Sequence, residues 1–148
     1  MRWIPTILLF LACGSSKDHQ TLHEAATAHD QALEIAHQTA LRISQFKQLE
    51  TSFTPAQRDT LMAIARDLGA WYELVVEVPG HDHDHHEHEG HDHDHDHDHA
   101  SEPNYLEGLP AEEVLEVQAS LKRQVERLSS RLLAFSQTIL LKKEENSQ

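Results

Sequence analysis

Residues 109–143, LPAEEVLEVQASLKRQVERLSSRLLAFSQTILLKK, decide the fold of this 148-residue chain. Apolar side chains recur in this stretch every three or four residues, at Val114, Val117, Leu121, Val125, Leu128, Leu132, Phe135 and Ile139. That spacing places them on one face of an α-helix, in a near-heptad seam. Pro110 followed by two acids suits a helix start, and the closing pair of lysines suits the negative end of a helix dipole. We therefore predict a long C-terminal helix over 109–144.

Two further helices are predicted before it. Thr21 to Glu50 contains no Gly or Pro, and Thr21-Leu22-His23-Glu24 has the form of a capping box, which predicts that helix 1 starts at Thr21. Its apolar stripe consists of Leu22, Ala26, Leu33, Ala36, Ala40 and Ile43. Thr54-Pro55-Ala56-Gln57 combines an N-cap threonine, a proline at the first helical position and a glutamine at the third. This pattern predicts the start of helix 2.

Helix 2 has an apolar face that favours burial against the other two helices. The face consists of Leu61, Ile64, Ala65, Leu68, Trp71, Tyr72 and Val75. Val78-Pro79-Gly80 is predicted to end the helix. Trp71 and Tyr72 fit the end of a helical core better than a small-molecule pocket.

These patterns predict an all-α fold. No stretch alternates polar and apolar residues as a half-buried strand does, and 39% hydrophobic residues are compatible with one packed core. The short link between helices 1 and 2 predicts a helical hairpin over 21–78, and we expect a three-helix antiparallel bundle with a long third helix. Glu73 and Glu77 then fall level with residues 28–32. Self-association of helix 3 as a coiled coil remains open.

The N-terminus resembles an export signal. One arginine precedes an apolar stretch that is too short to span a bilayer, and Leu9-Phe10-Leu11-Ala12-Cys13 looks like a bacterial lipobox. We predict a lipoprotein signal peptide over 1–12, lipidation of Cys13 and a lipid-anchored tether over 13–20. The alternatives are an uncleaved N-terminal anchor and a misplaced start codon. The expected location is the bacterial cell envelope, in the periplasm or at the outer membrane.

Residues 79–108 are predicted to form a disordered loop that contains a histidine/aspartate tract, defined here as His81 to His99. The tract holds ten of the chain's 14 histidines and eight of its 25 acidic residues. The predicted metal ligands are His81, His83, His85, His86, His88, His91, His93, His95, His97 and His99, with Asp82, Asp84, Asp92, Asp94, Asp96 and Asp98. Imidazole and carboxylate groups bind Zn²⁺ well, and Ni²⁺, Co²⁺ and Cu²⁺ are the alternatives. The other interpretation of the tract is a solvated, pH-responsive spacer.

Helix 1 carries a second set of metal-binding residue types. His19, His23, Asp30, Glu34 and His37 lie within a narrow arc of its polar edge. We expect these residues to be ordinary solvated side chains. The alternative is that they form a second metal site. His29 falls on the apolar stripe instead, which favours a hydrogen-bonded, semi-buried histidine over a ligand.

Several classes of function are disfavoured. A net charge of −13 leaves little basic surface for binding phosphates, so we expect no nucleic-acid partner. Cys13 is the only cysteine, which excludes an internal disulfide. No glycine-framed serine and no phosphate-binding loop occurs, so we expect no enzyme.

Taken together, the chain resembles a group of small bacterial lipoproteins of unknown function that are often labelled "viral A-type inclusion protein". The resemblance rests on Cys13-Gly14, His29-Asp30, Trp71, Val78-Pro79-Gly80 and the long helix 3. It implies an exported helical lipoprotein and carries no catalytic or ligand residue.

The expected function is therefore binding or buffering of zinc close to a membrane, with transfer to a metal transporter as a possible extension. The alternative is a structural or interaction protein in which helix 3 pairs with itself or with another helix and the tract is a spacer.

Overall fold

The computed structural model describes residues 16–81 and 105–145, which contain three α-helices and no strand. They are α1 (Ser16–Gln48), α2 (Pro55–Tyr72) and α3 (Ala111–Glu145), with a 3-10 helix at Glu50–Ser52 between the first two. The predicted all-α class is confirmed. Within these residues, none of the helices has the length and apolar character needed to cross a membrane. The predicted signal peptide, Cys13 and tract residues 82–99 lie outside the described residues.

α1 begins at Ser16, five residues before the predicted start at Thr21. Thr21 is buried on the inner face of the helix and does not cap it. The prediction was wrong because a Thr-x-x-Glu pattern also fits a helix interior, and no Gly or Pro separates Ser16 from Thr21. Residues 16–20, predicted to be part of the tether, are therefore the first turns of α1. There, Lys17 Nζ lies 3.1 Å from Glu112 Oε1 at the start of α3.

The predicted start of α2 is confirmed by its cap. Thr54 Oγ1 accepts a hydrogen bond from the Gln57 backbone N–H at 3.3 Å, and Gln57 Oε1 accepts one from the Thr54 N–H at 2.8 Å. Pro55 occupies the first helical position, where its missing N–H leaves no hydrogen bond unmade.

The predicted end of helix 2 near Val78 was wrong, because α2 ends at Tyr72. Residues 73–81 are not helical, and we call them the connector. Val75, Val76 and Val78 are β-branched, which lowers their preference for a helix. In the connector Val78 instead reaches the interior, where only 2% of its surface is exposed. Tyr72, predicted to lie on the apolar face, is 41% exposed, with its ring edge-on to Trp71 at a centroid distance of 5.3 Å.

Within residues 16–81 and 105–140, the buried side chains form two clusters. The main cluster joins all three helices and ends in three phenylalanines, with the Phe135 ring edge-on to Phe46 and Phe53 at centroid distances of 5.3 and 5.7 Å. The stem cluster, as we call the second one, consists of Ala25, Ala26, Val78, Leu106 and Val114. α2 contributes no residue to the stem cluster, so the connector and the segment before α3 cover the first part of α1 and α3.

Candidate functional site

Both flanks of the tract are fixed in the stem cluster. Val78 precedes the tract, Leu106 follows it, and the two side chains belong to one buried cluster with Ala25 and Val114. Each is followed by a glycine with a positive φ, 73° at Gly80 and 83° at Gly108. The two described segments that border residues 82–104 therefore meet in the same buried cluster.

The turn at Gly80 brings the first histidine of the tract back to α1. The His81 backbone N–H donates to the Val78 carbonyl at 3.1 Å, and Gly80 supplies the left-handed conformation that this turn requires. His81 Nε2 then donates to Asp30 Oδ1 at 3.2 Å. The His81 side chain is 31% exposed and that of Asp30 is 51% exposed, so the pair lies at the surface and is open to small solutes.

A buried hydrogen-bond chain lies next to this pair. His29, only 1% exposed, donates from Nδ1 to Gln118 Oε1 at 3.1 Å. Gln118 Nε2 donates in turn to the Val76 carbonyl at 2.7 Å. On the other side of the imidazole, Glu77 Oε2 lies 3.6 Å from His29 Nε2. These hydrogen bonds link α1, α3 and the connector.

Two sequence predictions about this region are confirmed. His29 is a hydrogen-bonded histidine, and it is fully rather than partly buried. Glu77 does lie level with residues 28–32, although it belongs to the connector and not to helix 2.

Sequence reasoning missed Gln118, which is completely buried. It lies four residues after Val114 and three before Leu121, so it occupies a seam position, while the predicted seam residue Val117 is only partly buried. A single polar residue at the spacing of an apolar stripe was the available signal, since such a residue needs a buried hydrogen-bond partner.

The predicted polar residues of α1 lie on its exposed face. His19, His23, Asp30, Glu34 and His37 are exposed, and Glu34 Oε1 accepts a hydrogen bond from Gln38 Nε2 at 2.9 Å. In the described ranges, no group of three or more His, Cys, Asp or Glu residues is placed to hold a metal ion. Of the predicted tract ligands only His81 is described, and the other 15 lie outside these ranges.

Trp71 serves the core rather than a ligand pocket. Its side chain is 3% exposed, and its Nε1–H donates to the Leu121 carbonyl at 3.0 Å. Trp71 also borders an open groove between α2 and α3, across which Arg131 Nη1 donates to Asp67 Oδ2 at 2.7 Å. This hydrogen bond, with a weaker contribution from Arg66, holds the pKa of Asp67 below its ordinary value of 3.8. The contact from Lys17 likewise lowers the pKa of Glu112.

The site thus combines one ordered imidazole–carboxylate pair with a neighbouring segment rich in the same two groups. Both groups coordinate borderline divalent ions, and neither reacts as a nucleophile without further activation. Comparisons with protein-family models, with curated proteins and with solved structures find no match to this chain.

Proposed function

We propose that this protein is a lipid-anchored protein of the bacterial cell envelope that binds or buffers divalent transition-metal ions, Zn²⁺ first among them, through the tract. The observation that carries the proposal is the sequence of the tract, in which imidazoles and carboxylates alternate almost throughout from His81 to His99. At three or four protein ligands per zinc ion, ten histidines with their carboxylates hold about two to four ions.

The fixed flanks of the tract support this function. Because Val78 and Leu106 are buried in one cluster, folding brings the two ends of the intervening segment together. The donors are also kept at a high local concentration beside the stem.

The position of the stem supports binding near a membrane. Asp30 lies about 14 residues, or about 20 Å, along α1 from Ser16. The contacts of α3 with α2 run antiparallel, because Asp67 meets Arg131 while Trp71 meets Leu121. Those with α1 run parallel, because Lys17 meets Glu112 and His29 meets Gln118, and both fit a bundle in which successive helices are antiparallel. If Cys13 is lipidated, ions bound at the tract are held within a few tens of ångströms of the lipid surface. Delivery to a membrane metal transporter by ligand exchange is compatible with that placement.

The experiment is a calorimetric titration of Zn²⁺ into the mature, unlipidated chain and into two matched variants. In one variant all ten tract histidines are replaced by asparagine, and in the other the six tract aspartates are replaced by asparagine. We expect the histidine variant to lose about two to four equivalents and the aspartate variant to keep most of them with weaker affinity, since carboxylates mainly offset the charge of the ion. Equal stoichiometry in the native chain and the histidine variant would overturn the proposal.

One observation favours the alternative of a structural or interaction protein. Leu133 and Leu140 lie two helical turns apart on α3 and are 51% and 63% exposed. Apolar residues at that spacing are typical of a helix that pairs with another. Sedimentation of the native chain and of a Leu133→Gln/Leu140→Gln variant tests self-association. A dimer that is lost in the variant, with no effect of tract deletion on cellular metal content, would favour the alternative.

A further inference from the structure

The contact between Asp30 and His81 joins the tract to the folded protein. The two residues are separated by 51 positions, and their side chains approach to 3.2 Å between Oδ1 and Nε2. Asp30 adjoins His29, whose imidazole is fixed by Gln118, and His81 is fixed by the turn at Gly80. Both side chains are therefore attached to ordered elements of the fold, Asp30 to α1 and His81 to the turn at Gly80.

The distance between these two donors suits joint coordination of one ion. A tetrahedral zinc ion holds nitrogen and oxygen ligands about 2.0 to 2.1 Å away, so two of its ligands are about 3.3 Å apart. Zn²⁺ binds the Nε2 lone pair when the imidazole carries its proton on Nδ1. The hydrogen bond to Asp30 is then replaced by two metal–ligand bonds.

We propose that Asp30 and His81 form a structured two-ligand site for a divalent transition-metal ion, and that metal bound there stabilises the helical fold. This inference rests on the proposed function, because it adds a fold-dependent site to the tract's binding capacity. The pair supplies two of the four positions around a tetrahedral ion, and the other two are open to water and other donors.

The effect on stability follows from where the ligands come from. Donors that are neighbours in sequence are available to the unfolded chain as well as to the folded one, and ligands that bind both states equally leave stability unchanged. Asp30 and His81 meet only in the folded chain. Metal held by this pair therefore binds the folded state preferentially and links the connector to α1.

The experiment is thermal unfolding of the mature chain, followed by circular dichroism with Zn²⁺ and with a chelator, alongside calorimetric titration of the same samples. The variants are Asp30→Asn, its matched control Glu34→Gln one turn further along the exposed face of α1, and the reciprocal His81→Gln. We expect Zn²⁺ to raise Tm by several degrees in the native chain and in Glu34→Gln. Asp30→Asn and His81→Gln should each lose most of that rise while the number of ions bound falls by no more than one.

Each other outcome overturns the inference. A full rise of Tm in Asp30→Asn would show that the stabilising site lies elsewhere, and an equal loss in Glu34→Gln would assign the effect to the general negative charge of α1. Binding of several ions with no rise of Tm in the native chain would contradict the structured site but not the proposed function. Absence of Zn²⁺ binding to the native chain would remove both. Each variant is compared with its own Tm in chelator, so a loss of intrinsic stability is measured separately.

Discussion

His29 and Gln118 form a buried hydrogen bond between α1 and α3, with 3.1 Å between Nδ1 and Oε1. Because Gln118 also donates to the Val76 carbonyl, one side chain joins both long helices to the connector that leads into the tract. A slip of either helix by one residue would leave these buried polar groups without partners. The network therefore selects one alignment of α1, α3 and the connector, in a core whose other contacts are mostly non-directional.

Replacing Gln118 by methionine tests how much this network stabilises the fold. The variant preserves the size of the side chain but leaves the buried His29 N–H and the partly buried Val76 carbonyl without this partner, so we expect a loss of about 2 to 4 kcal/mol in the free energy of unfolding. Urea denaturation measures the change. Gln137→Met, at an exposed position of the same helix, is the control and should change stability by less than about 0.5 kcal/mol. Similar values for the two variants would contradict a stabilising role for the network.

The same geometry predicts the tautomer of His29. Gln118 uses its amide N–H₂ group for Val76, so the oxygen that faces His29 is an acceptor and His29 Nδ1 must carry a proton. Long-range ¹⁵N–¹H correlation spectra of the imidazole should show a protonated Nδ1 in the native chain at neutral pH. In Gln118→Met this preference should weaken because the acceptor is gone. A spectrum with the proton only on Nε2 would mean that the Gln118 amide has the opposite orientation.

Most of the helical fold could be predicted because its signals are local. The start of α2 depends on four consecutive residues, and the α3 seam depends on a repeat that any helix with that sequence would display. The start of α1 and the end of α2 were predicted wrongly because each depends on competition between helical and non-helical conformations. Ser16 to Gln20 can be helical or extended, and Val75 to Val78 are not part of α2, because Val78 is buried with residues of α1 and α3 and Val76 packs against them.

The candidate site could be predicted only in its composition. The density of histidine between 81 and 99 marks metal-binding chemistry without any fold. Which carboxylate meets His81 depends on the early end of α2 and on the turn at Gly80, and neither follows from a pattern. The seam spacing marks Gln118 as a buried polar residue, but its partners, which are 89 and 42 residues away, could not be predicted for the same reason.

Gly80 and Gly69 should respond to alanine in opposite directions. A Cβ at either position would have nothing within 4 Å, so the outcome depends on the backbone alone. Gly80 has a φ of 73°, where a side chain is strained, and we expect Gly80→Ala to lower the free energy of unfolding by about 1 to 2 kcal/mol. Gly69 lies inside α2, where alanine should raise it by about 0.5 to 1 kcal/mol. Denaturant titration of both variants gives the two signs, and destabilisation by Gly69→Ala would contradict this account of α2.

Gly80→Ala should also weaken the contact between His81 and Asp30, because the turn that directs the imidazole to α1 is strained. We therefore expect a smaller rise of Tm with Zn²⁺ than in the native chain, while Gly69→Ala keeps the full rise. Equal rises of Tm in both variants would mean that the turn at Gly80 does not position His81 for the proposed two-ligand site.

Acid should remove the stabilisation that Asp67 and Arg131 provide between α2 and α3. The hydrogen bond from Arg131 lowers the pKa of Asp67 in the folded protein below its ordinary value of 3.8, so folding favours the ionised carboxylate. The resulting stability is present above that ordinary value and is lost as the pH falls through the lower folded-state pKa. Asp67→Asn should therefore be less stable than the native chain at neutral pH, with the difference shrinking as the pH falls below about 4. Urea denaturation at a series of pH values measures this difference.

Arg131→Met should remove the same pH dependence. The double variant should be only slightly less stable than either single variant. A difference between Asp67→Asn and the native chain that stays constant from neutral pH to about pH 3 would mean that the 2.7 Å contact does not stabilise the fold.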